Sequence, residues 1–488
     1  MEASKTGSWR EISVRLILRA WQAQGGYYFC HPLNGGLKMK TTRTPTIEKR
    51  IMAKKQPLQA VMVGAGHRAL LYASYATHHP DELRIVGVAD PLALRRQQTM
   101  KTFGFGPERC FDSAEALAAV PKFADFAING TMDHQHVATS LPLLAAGYDI
   151  LLEKPFATDE DEMWELVAAA RKHNRKVAIC HVLRYAPFYR AIRQEVLNGT
   201  IGEVLNVQAT EHVSYHHVSV AFVRGKWNRK DVCHSTMLMS KCCHDLDLIT
   251  WMKSGVAPVR VTSVGNNFQF RPEKTPPGAG TRCLVDCPIE ASCTYSARKL
   301  YLDHPKRWSF YVWDSLEHIA TPTLEDMIAS LKGNNPHGRC AWKCDNNVVD
   351  HQSVAIEFAD GCTATLNMIG GCSKASRAIH LIGTKGEIQG NFEDSRFVIR
   401  LIDTQAGHAE WSEKVVDLNQ AGDMTGAHGG HGGGDLRLVE DFLAVLRGGH
   451  PSISSTSIED SVNGHLLGFC ADHAMDEHVV VDINARRR

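Results

Sequence analysis

A glycine-rich turn near residue 64 is the first segment whose residue types and spacing could do chemistry. Residues 64–69 (GAGHRA) fit the pattern G-x-G-x-x-A and follow a short apolar run. In this pattern the glycines permit a tight turn and a close approach of the backbone to a pyrophosphate. An acid, Asp90, closes the next apolar run 24 residues after Gly66. The combination predicts a dinucleotide site, with cofactor contacts from Gly64, Gly66, His67, Arg68 and Asp90.

The acid at position 90 bears on which dinucleotide would bind. A carboxylate accepts hydrogen bonds from ribose hydroxyls and repels a 2′-phosphate, so Asp90 favours NAD over NADP. Arg95 and Arg96 follow closely, and an arginine nearby can accommodate a 2′-phosphate, so NADP stays an alternative. FAD is disfavoured because the sequence shows a single nucleotide-binding unit at its start.

Lys154 and His244 are the candidates for proton transfer. Lys154 ends a further apolar run, which places it at the carboxyl end of an expected parallel strand, where open α/β sheets bind ligands. A lysine there could donate a hydrogen bond to a substrate hydroxyl and accept its proton. His244 begins an expected helix, and imidazole suits proton transfer near neutral pH. The alternatives are a surface lysine held by Pro155 and a structural histidine.

Polar and aromatic residues gather in segments 211–217 and 222–228, ahead of that helix. Rings can stack on the C–H faces of a sugar while donors and acceptors meet its hydroxyls. A polar surface loop is the alternative for each residue. The predicted substrate-binding residues are Arg184, Tyr215, His217, Arg224, Trp227 and Asp247.

Cysteines and two histidines later in the chain suggest further sites. Thiolates arranged as a tetrahedron make structural zinc sites, whereas reduced thiols packed under a loop are the alternative. The candidate zinc ligands are Cys283, Cys287, Cys293, Cys340 and Cys344. In the glycine-rich segment 422–434, His428 and His431 either approach the active site or belong to a flexible loop.

The elements that must position these residues follow from the hydrophobic pattern. Between residues 59 and 183, apolar runs alternate with helical patterns, which is typical of a doubly wound parallel sheet of the Rossmann type, an α/β fold. After residue 184, extended segments follow one another with few helices between them. They predict an α+β domain with a large, mostly antiparallel open-faced sheet.

The chain of 488 residues is too long for one hydrophobic core and divides into three parts. Residues 1–51 are predicted to be a disordered extension, with a basic transit peptide or a natural start at Met52 as alternatives. Residues 52–183 are predicted to be the NAD-binding domain, and residues 184–488 the substrate-binding and oligomerisation domain.

Composition argues against several classes of partner. Lys and Arg number 54 and Asp and Glu 53, and a net charge of +1 gives no electrostatic basis for binding nucleic acid or an anionic membrane. The sequence lacks the run of about 18 apolar residues that a spanning helix needs. Several of its 14 cysteines fall inside expected strands and helices, which indicates reduced thiols and a cytoplasmic location.

Three further motifs make the chain resemble the glucose–fructose oxidoreductase, inositol dehydrogenase and rhizopine-catabolism (Gfo/Idh/MocA) family. Residues 131–136 (TMDHQH) are similar to its T-P-D-x-x-H loop, with Met132 in place of proline, and residues 153–155 match its E-K-P. Residues 184–187 (RYAP) are similar to its R-F-x-P and residues 201–203 to its I-G-E. The resemblance implies a homo-oligomer (dimer or tetramer) and a sugar or cyclitol substrate. It also implies cofactor contacts from Thr131, Asp133, His136 and Glu153.

The acid/base pair of that family, D-x-x-x-H, is half present. His244 aligns with its histidine, whereas Ser240 stands where the family has aspartate. Serine can hydrogen-bond a hydroxyl but holds no negative charge. Lys241 is therefore predicted to share the catalytic role.

Together these residues and the resemblance predict a NAD-dependent dehydrogenase of a sugar, sugar derivative or cyclitol. Lys154 and His244 would take the hydroxyl proton while hydride moves to nicotinamide C4. Two alternatives stay open. One is a glycosidase that recycles bound NAD through oxidation, elimination, water addition and re-reduction. The other is a sensor that binds dinucleotide and sugar without turnover.

Overall fold

The computed structural model of the protein describes residues 56–304, 307–319, 321–418 and 431–488. The predicted extension at residues 1–51, and His428, lie outside the described residues. None of the described helices combines the length and the apolar character needed to cross a bilayer.

The first half of the chain forms the expected Rossmann sheet. Its strands are β1 (Leu58–Val63), β2 (Leu83–Ala89), β3 (Cys110–Phe111), β4 (Phe126–Asn129), β5 (Asp149–Leu152) and β6 (Val177–Ile179). Among the described residues these six strands run parallel in the order β3-β2-β1-β4-β5-β6, which is the doubly wound order. Residues 60–63 of β1 are at most 1% exposed, as expected of a parallel strand with both faces covered.

Helices flank this sheet on both faces and connect its strands. They are α1 (His67–Ala73), α2 (Tyr75–His78), α3 (Ala93–Phe103), α4 (Ala114–Ala118), α5 (His136–Ala145) and α6 (Glu160–Lys172). Because consecutive parallel strands need such crossovers, the carboxyl ends of β1, β4 and β5 meet at one edge, which is the edge where ligands bind in this fold.

The second half of the chain forms the large open sheet. Its strands are β7 (Val204–Ser214), β8 (Pro258–Asn266), β9 (His351–Phe358), β10 (Thr363–Cys372), β11 (Ser376–Gly383), β12 (Gly386–Asn391), β13 (Arg396–Ile402), β14 (Trp411–Asp417) and β15 (Val481–Asp482). In the described part of the chain they lie in the order β14-β13-β12-β11-β7-β10-β9-β8-β15. Neighbours are antiparallel except β7 and β10. Every second residue of β9 is buried, so one face packs on helices.

Eight helices accompany this sheet in the described ranges. They are α7 (Pro187–Leu197), α8 (Tyr215–Val218), α9 (Lys230–Cys233), α10 (Met237–Met252), α11 (Phe310–Asp314), α12 (Leu324–Lys332), α13 (Gly434–Leu446) and α14 (Ile458–Glu477). Helix α13 returns to the first half, where the Phe442 ring meets the Phe126 ring edge-on at 5.3 Å. The Tyr185 hydroxyl donates to Asp441 Oδ2 (2.8 Å). The contact between Phe126 and Phe442 therefore holds α13 against the Rossmann sheet.

Helix α10 starts earlier than the sequence pattern indicated. We expected a helix to begin at His244, but the Thr236 side chain caps the helix by accepting from the Met239 N–H (3.1 Å), and α10 begins at Met237. Every residue of α10 except Lys241 is buried. A helix that is enclosed on all sides shows no apolar stripe, so periodicity could not locate its start.

The strands β8 and β9 pair directly, with Asn266 opposite His351. Residues 267–350 therefore leave the sheet and return to it at adjacent positions. This connecting segment contains α11, α12 and several short 3₁₀ and π turns.

Candidate active site

The glycine turn after β1 passes so close to the next loop that side chains are excluded. Gly64 has φ +77°, a left-handed conformation that favours glycine, and a Cβ there would lie 2.8 Å from the Thr131 backbone nitrogen. The Gly64 N–H donates to the Ala89 carbonyl (2.8 Å). Bare backbone at this position lets a pyrophosphate approach, so the residues present fit a dinucleotide.

Asp90 fixes this turn from the end of β2. Its Oδ2 accepts from the Ala65 N–H (2.8 Å) and its Oδ1 from the Leu92 N–H (2.9 Å), and the residue is 3% exposed. Arg96 Nη1 donates to the carbonyl oxygens of Asp90 (2.6 Å) and Pro91 (3.0 Å). The carboxylate therefore lies beside the glycine turn, at the position where this fold binds an adenosine ribose.

The loop after β4 is held by a residue that we did not single out from the sequence. Asn129 Oδ1 accepts from the Thr131 hydroxyl (2.9 Å) and the Thr131 N–H (3.3 Å). His136 Nδ1 lies 2.6 Å from the Pro155 carbonyl oxygen and its Nε2 lies 3.2 Å from the Thr131 carbonyl oxygen. Thr131 and His136 thus connect the glycine turn to the E-K-P segment.

Lys154 points from the end of β5 toward α10. Its Nζ donates to the Ser240 carbonyl oxygen (2.9 Å), and its backbone N–H donates to Glu153 Oε2 (2.7 Å). The Ser240 hydroxyl donates to the Thr236 carbonyl oxygen (2.6 Å). Ser240 therefore presents its backbone carbonyl to Lys154, while its hydroxyl is used inside the helix.

Glu153 joins the two halves of the molecule through Arg68. Glu153 Oε1 accepts from Arg68 Nε (2.7 Å) and from the Tyr72 hydroxyl (2.6 Å), and Arg68 Nη2 also donates to Asp435 Oδ1 (2.5 Å). Burial would raise the pKa of Glu153, but the charges of Arg68 and Lys154 outweigh it and lower the pKa to about 2. Carboxylates on both sides therefore hold the Arg68 guanidinium beside the glycine turn.

Replacing Glu153 with glutamine tests this ion pair through pH. A carboxylate with a pKa lowered from 4.5 to about 2 stabilises the fold above pH 4.5, and the stabilisation is lost as the pH falls toward 2. The pKa difference corresponds to about 3 kcal/mol. We expect Glu153→Gln to cost that amount at pH 7 in urea unfolding, and the difference from wild type to shrink by pH 3. The exposed Glu165→Gln change is the control, and a deficit independent of pH would contradict the ion pair.

Imidazole rings line the space next to Lys154. The His244 ring centroid lies 5.6 Å from that of His431 and 5.9 Å from that of His181, and His181 lies 5.7 Å from His465. Burial, then the charge of Lys154, lowers the pKa of His244 well below its usual value, so the ring is neutral at neutral pH. The His244 Nδ1 makes no hydrogen bond to any residue that the structure describes. Of the two histidines in the glycine-rich segment, His431 does approach the site.

Lys241 belongs to a buried cluster of charges on the other side of His244. Its Nζ lies 3.2 Å from Glu211 Oε1, and Arg377 Nε lies 2.5 Å from Glu211 Oε2 and 3.1 Å from Asp245 Oδ1. Burial lowers the pKa of Lys241, although Glu211 opposes this effect. Burial also raises the pKa of Asp245 above its usual value, with Arg377 opposing and Glu211 adding to the shift. The cluster therefore packs two acidic and two basic side chains against one another.

Two of the predicted substrate residues contact the connecting segment. The His217 ring stacks on Trp308 at 3.7 Å with an interplanar angle of 11°. The Arg307 guanidinium carbon lies 5.7 Å from the Tyr215 ring centroid. Burial, then Lys241, lowers the pKa of His217 well below its usual value, so this ring is also neutral and lies near the charged cluster.

Trp227 meets the cofactor half instead. Its Nε1 donates to Asp133 Oδ2 (2.9 Å), and the Lys226 ammonium lies 4.3 Å from its ring centroid. Lys226 Nζ also lies 3.5 Å from the sulfur of Met132, the residue that replaces the family's proline. Trp227 and Asp133, predicted separately for substrate and cofactor, thus form one contact.

Arg184 and Asp247, both predicted to bind substrate, pair with each other in the structure. Arg184 Nε donates to Asp247 Oδ2 (2.7 Å) and Nη2 to Asp247 Oδ1 (2.5 Å), and the residues are 3% and 1% exposed. Both carboxylate oxygens are thus used by one guanidinium. The pair ties α10 to the segment that follows β6.

Arg224, also predicted to bind substrate, makes its hydrogen bonds within the chain. Its Nε donates to the Arg339 carbonyl oxygen (2.8 Å), its Nη1 to Ser219 Oγ (2.8 Å), and its Nη2 to the Tyr295 carbonyl oxygen (2.7 Å). The residue is 1% exposed. It anchors the connecting segment.

The structure gives the predicted zinc site no support. Within the described ranges, no three His, Cys, Asp or Glu side chains are arranged to hold a metal ion. Cys283 Sγ lies 3.7 Å from Arg224 Nη2, and Cys344 Sγ donates to the Cys340 carbonyl oxygen (3.2 Å). Cys283 thus contacts a guanidinium, and Cys344 bonds within its own turn.

Several residues of the site were not identified from the sequence. The fold brings these residues together from distant positions in the sequence. The local spacing of residue types therefore could not identify them. They are Tyr72, Asn129, His181, Glu211, Trp308, Arg377, Asp435 and His465.

Comparisons with known proteins agree with this architecture. Residues 58–181 match the family model described as "Oxidoreductase family, NAD-binding Rossmann fold", and residues 193–464 match its C-terminal alpha/beta domain. YteT of Bacillus subtilis (strain 168), named as an oxidoreductase, is 25% identical over 382 residues, which are 76% of this chain and 84% of that protein. D-glucoside 3-dehydrogenase of Escherichia coli (strain K12) is 28% identical over 149 residues, 30% of this chain and 41% of that enzyme.

A solved structure shows the same fold. Levoglucosan dehydrogenase, in complex with NADH and levoglucosan, superposes with a TM-score of 0.62 at 16% identity, covering 88% of this chain and all of that one. The family matches span the Rossmann sheet, the glycine turn, α10 and every described strand of the second sheet except β15. The chain therefore belongs to the Gfo/Idh/MocA oxidoreductase family.

Proposed function

We propose that this protein is a NAD-dependent dehydrogenase that oxidises a CH–OH group of a sugar, a sugar derivative or a cyclitol. The observation that carries the proposal is the position of Lys154. Its ammonium lies at the carboxyl end of β5, beyond the glycine turn, and contacts the Ser240 carbonyl of α10 (2.9 Å), the helix that also carries Lys241 and His244. Proton-transfer groups thus converge at the edge where the fold binds its ligands.

The glycine turn, Asp90 and Thr131 would hold the dinucleotide, whose nicotinamide supplies the hydride acceptor. The chain's own residues handle the proton. Lys154 is partly exposed and can bind the substrate oxygen while it remains hydrogen-bonded to Ser240. His244 is neutral and its Nδ1 is unpaired among the described residues, so it can accept a hydrogen bond from the same hydroxyl. Lys241 lies three residues before His244 on the same helix, with its ammonium 3.2 Å from Glu211 Oε1.

The substrate class is supported by the polar and aromatic residues around this position. His217 and Trp308 form a stacked pair, and Tyr215 lies beside Arg307. Such rings can pack on the C–H face of a sugar ring. Two relatives are named for enzymes acting on a glucoside and on levoglucosan. The predicted dimer or tetramer stays part of the proposal.

The test is a single assay with purified protein and NAD⁺. Sugars, cyclitols and aryl glycosides are offered in turn while NADH absorbance is followed and products are identified by mass spectrometry. We expect NADH to form with a polyol, in proportion to its ketone product. Glycoside cleavage without NADH would replace the proposal with the cofactor-recycling glycosidase. Dinucleotide binding without any product across the panel would favour the sensor.

A further inference from the structure

Residues 307–319 of the connecting segment, here called the cleft segment, lie across both halves of the site. On the substrate side the Trp308 ring stacks on His217. On the cofactor side the Phe310 ring stacks on His67 at 5.3 Å, with an interplanar angle of 23°. The cleft segment thus reaches from the substrate residues to the glycine turn.

The cleft segment also forms an ion pair with an arginine of the Rossmann domain. Glu317 Oε2 accepts from Arg95 Nε (3.0 Å) and Glu317 Oε1 accepts from Arg95 Nη2 (2.9 Å). A Cβ built on Gly66 would lie 4.0 Å from Arg95 Nη1, and the same nitrogen lies 4.0 Å from Asp90 Oδ2. The Arg95 guanidinium therefore lies over the mouth of the glycine turn, between two carboxylates.

This position is the one from which an arginine can bind the 2′-phosphate of NADP. In Arg95, however, both oxygens of the Glu317 carboxylate already bind the edge of the guanidinium formed by Nε and Nη2. Arg96, the other candidate, donates to the backbone carbonyls of Asp90 and Pro91. Both arginines that follow Asp90 are therefore engaged by oxygen acceptors, and a 2′-phosphate would meet the carboxylates of Asp90 and Glu317.

We propose that Glu317 is a positioning residue for cofactor choice: by holding Arg95, it makes the protein select NAD(H) over NADP(H). The inference rests on the proposed function in so far as a dinucleotide must bind at the glycine turn. Glu317 acts through Arg95 and from a segment far away in sequence, so neither the glycine pattern nor Asp90 alone sets the preference.

Titration of the purified protein with NADH and with NADPH, followed by nicotinamide fluorescence, tests the inference without any substrate. The wild type should bind NADH more tightly than NADPH. Glu317→Gln should lower the NADPH Kd, relative to the NADH Kd, by about tenfold, the gain of one charge-assisted hydrogen bond from released Arg95. Adding Arg95→Met to Glu317→Gln should remove that gain. Glu325→Gln, the same change at an exposed position of the connecting segment, is the matched control.

The outcomes separate this inference from the proposed function. A wild type that binds neither dinucleotide would overturn the proposed function and the inference with it. A wild type that prefers NADH, joined with an unchanged Kd ratio in Glu317→Gln, would overturn the inference alone. So would a gain that persists after Arg95 is removed, because Glu317 would then act by charge and not through Arg95. If Glu317→Gln weakens the binding of NADH and NADPH equally, the ratio of the two Kd values is unchanged, and this result also overturns the inference.

Discussion

Replacing Lys154 with alanine is expected to lower kcat by about 10²–10⁴-fold, the usual contribution of a general acid or base, while leaving NADH binding within about threefold of wild type. The reason is positional. Lys154 Nζ lies at the strand end next to α10 and contacts the Ser240 carbonyl, whereas the glycine turn, which we propose binds the dinucleotide, does not involve its ammonium. The measurement is steady-state kinetics with the polyol identified by the substrate panel, together with a fluorescence titration of NADH.

The matched control is Lys101→Ala, which removes an exposed lysine from α3 in the same domain. It should leave both kcat and the NADH Kd unchanged. If Lys154→Ala retained wild-type kcat, the lysine would be a surface residue positioned by Pro155 and the proposed mechanism would fail. A parallel loss of NADH affinity would instead assign Lys154 to cofactor binding.

Replacing Asp247 with alanine is expected to lower the free energy of unfolding by about 3–5 kcal/mol, because the buried Arg184 guanidinium then has no carboxylate partner. Both residues are almost fully buried, and the carboxylate accepts from both Nε and Nη2. Urea unfolding followed by circular dichroism measures the change. The double variant Arg184→Met with Asp247→Leu should recover most of the lost free energy of unfolding, since it also removes the unpaired Arg184 charge.

An exposed ion pair provides the comparison for Asp247. Arg488 and Asp161 pair at the surface, with side chains 60% and 82% exposed, so Asp161→Ala should cost no more than about 1 kcal/mol. The two variants also separate two roles for Asp247. If Asp247→Ala raised KM without changing the urea midpoint, the carboxylate would contact substrate, as first expected from the sequence, and the structural role would be wrong.

The fold could be predicted from the sequence where elements were long and patterned. The alternation between residues 59 and 183 predicted the Rossmann sheet, and the later extended segments predicted the second sheet; both are confirmed. Short or polar strands were missed. β3 has two residues, and β14 is largely exposed, so neither shows an apolar pattern. These strands lie at the edges of their sheets, where burial places the weakest constraint on sequence.

The candidate site was predictable only where chemistry and a local motif coincide. Gly64, Asp90 and Lys154 occupy such motifs, and the structure places them along one edge of the Rossmann sheet. Glu211 and Arg377 do not: they lie opposite each other across β7 and β11, so their pairing depends on strand register. A register cannot be read from two distant segments, because either could pair elsewhere. Arg224 shows the converse case: its charge predicted a ligand contact, and its guanidinium makes hydrogen bonds to backbone carbonyls of the connecting segment.

The cleft segment links two properties that most enzymes can change separately. Its Trp308 contacts His217, which is predicted to bind substrate, and its Phe310 and Glu317 contact His67 and Arg95 beside the glycine turn. An insertion or deletion there would alter both surfaces in one event. Descendants of this chain that acquired a different substrate by remodelling the segment would inherit an altered dinucleotide preference as well, so selection would act on the two traits together.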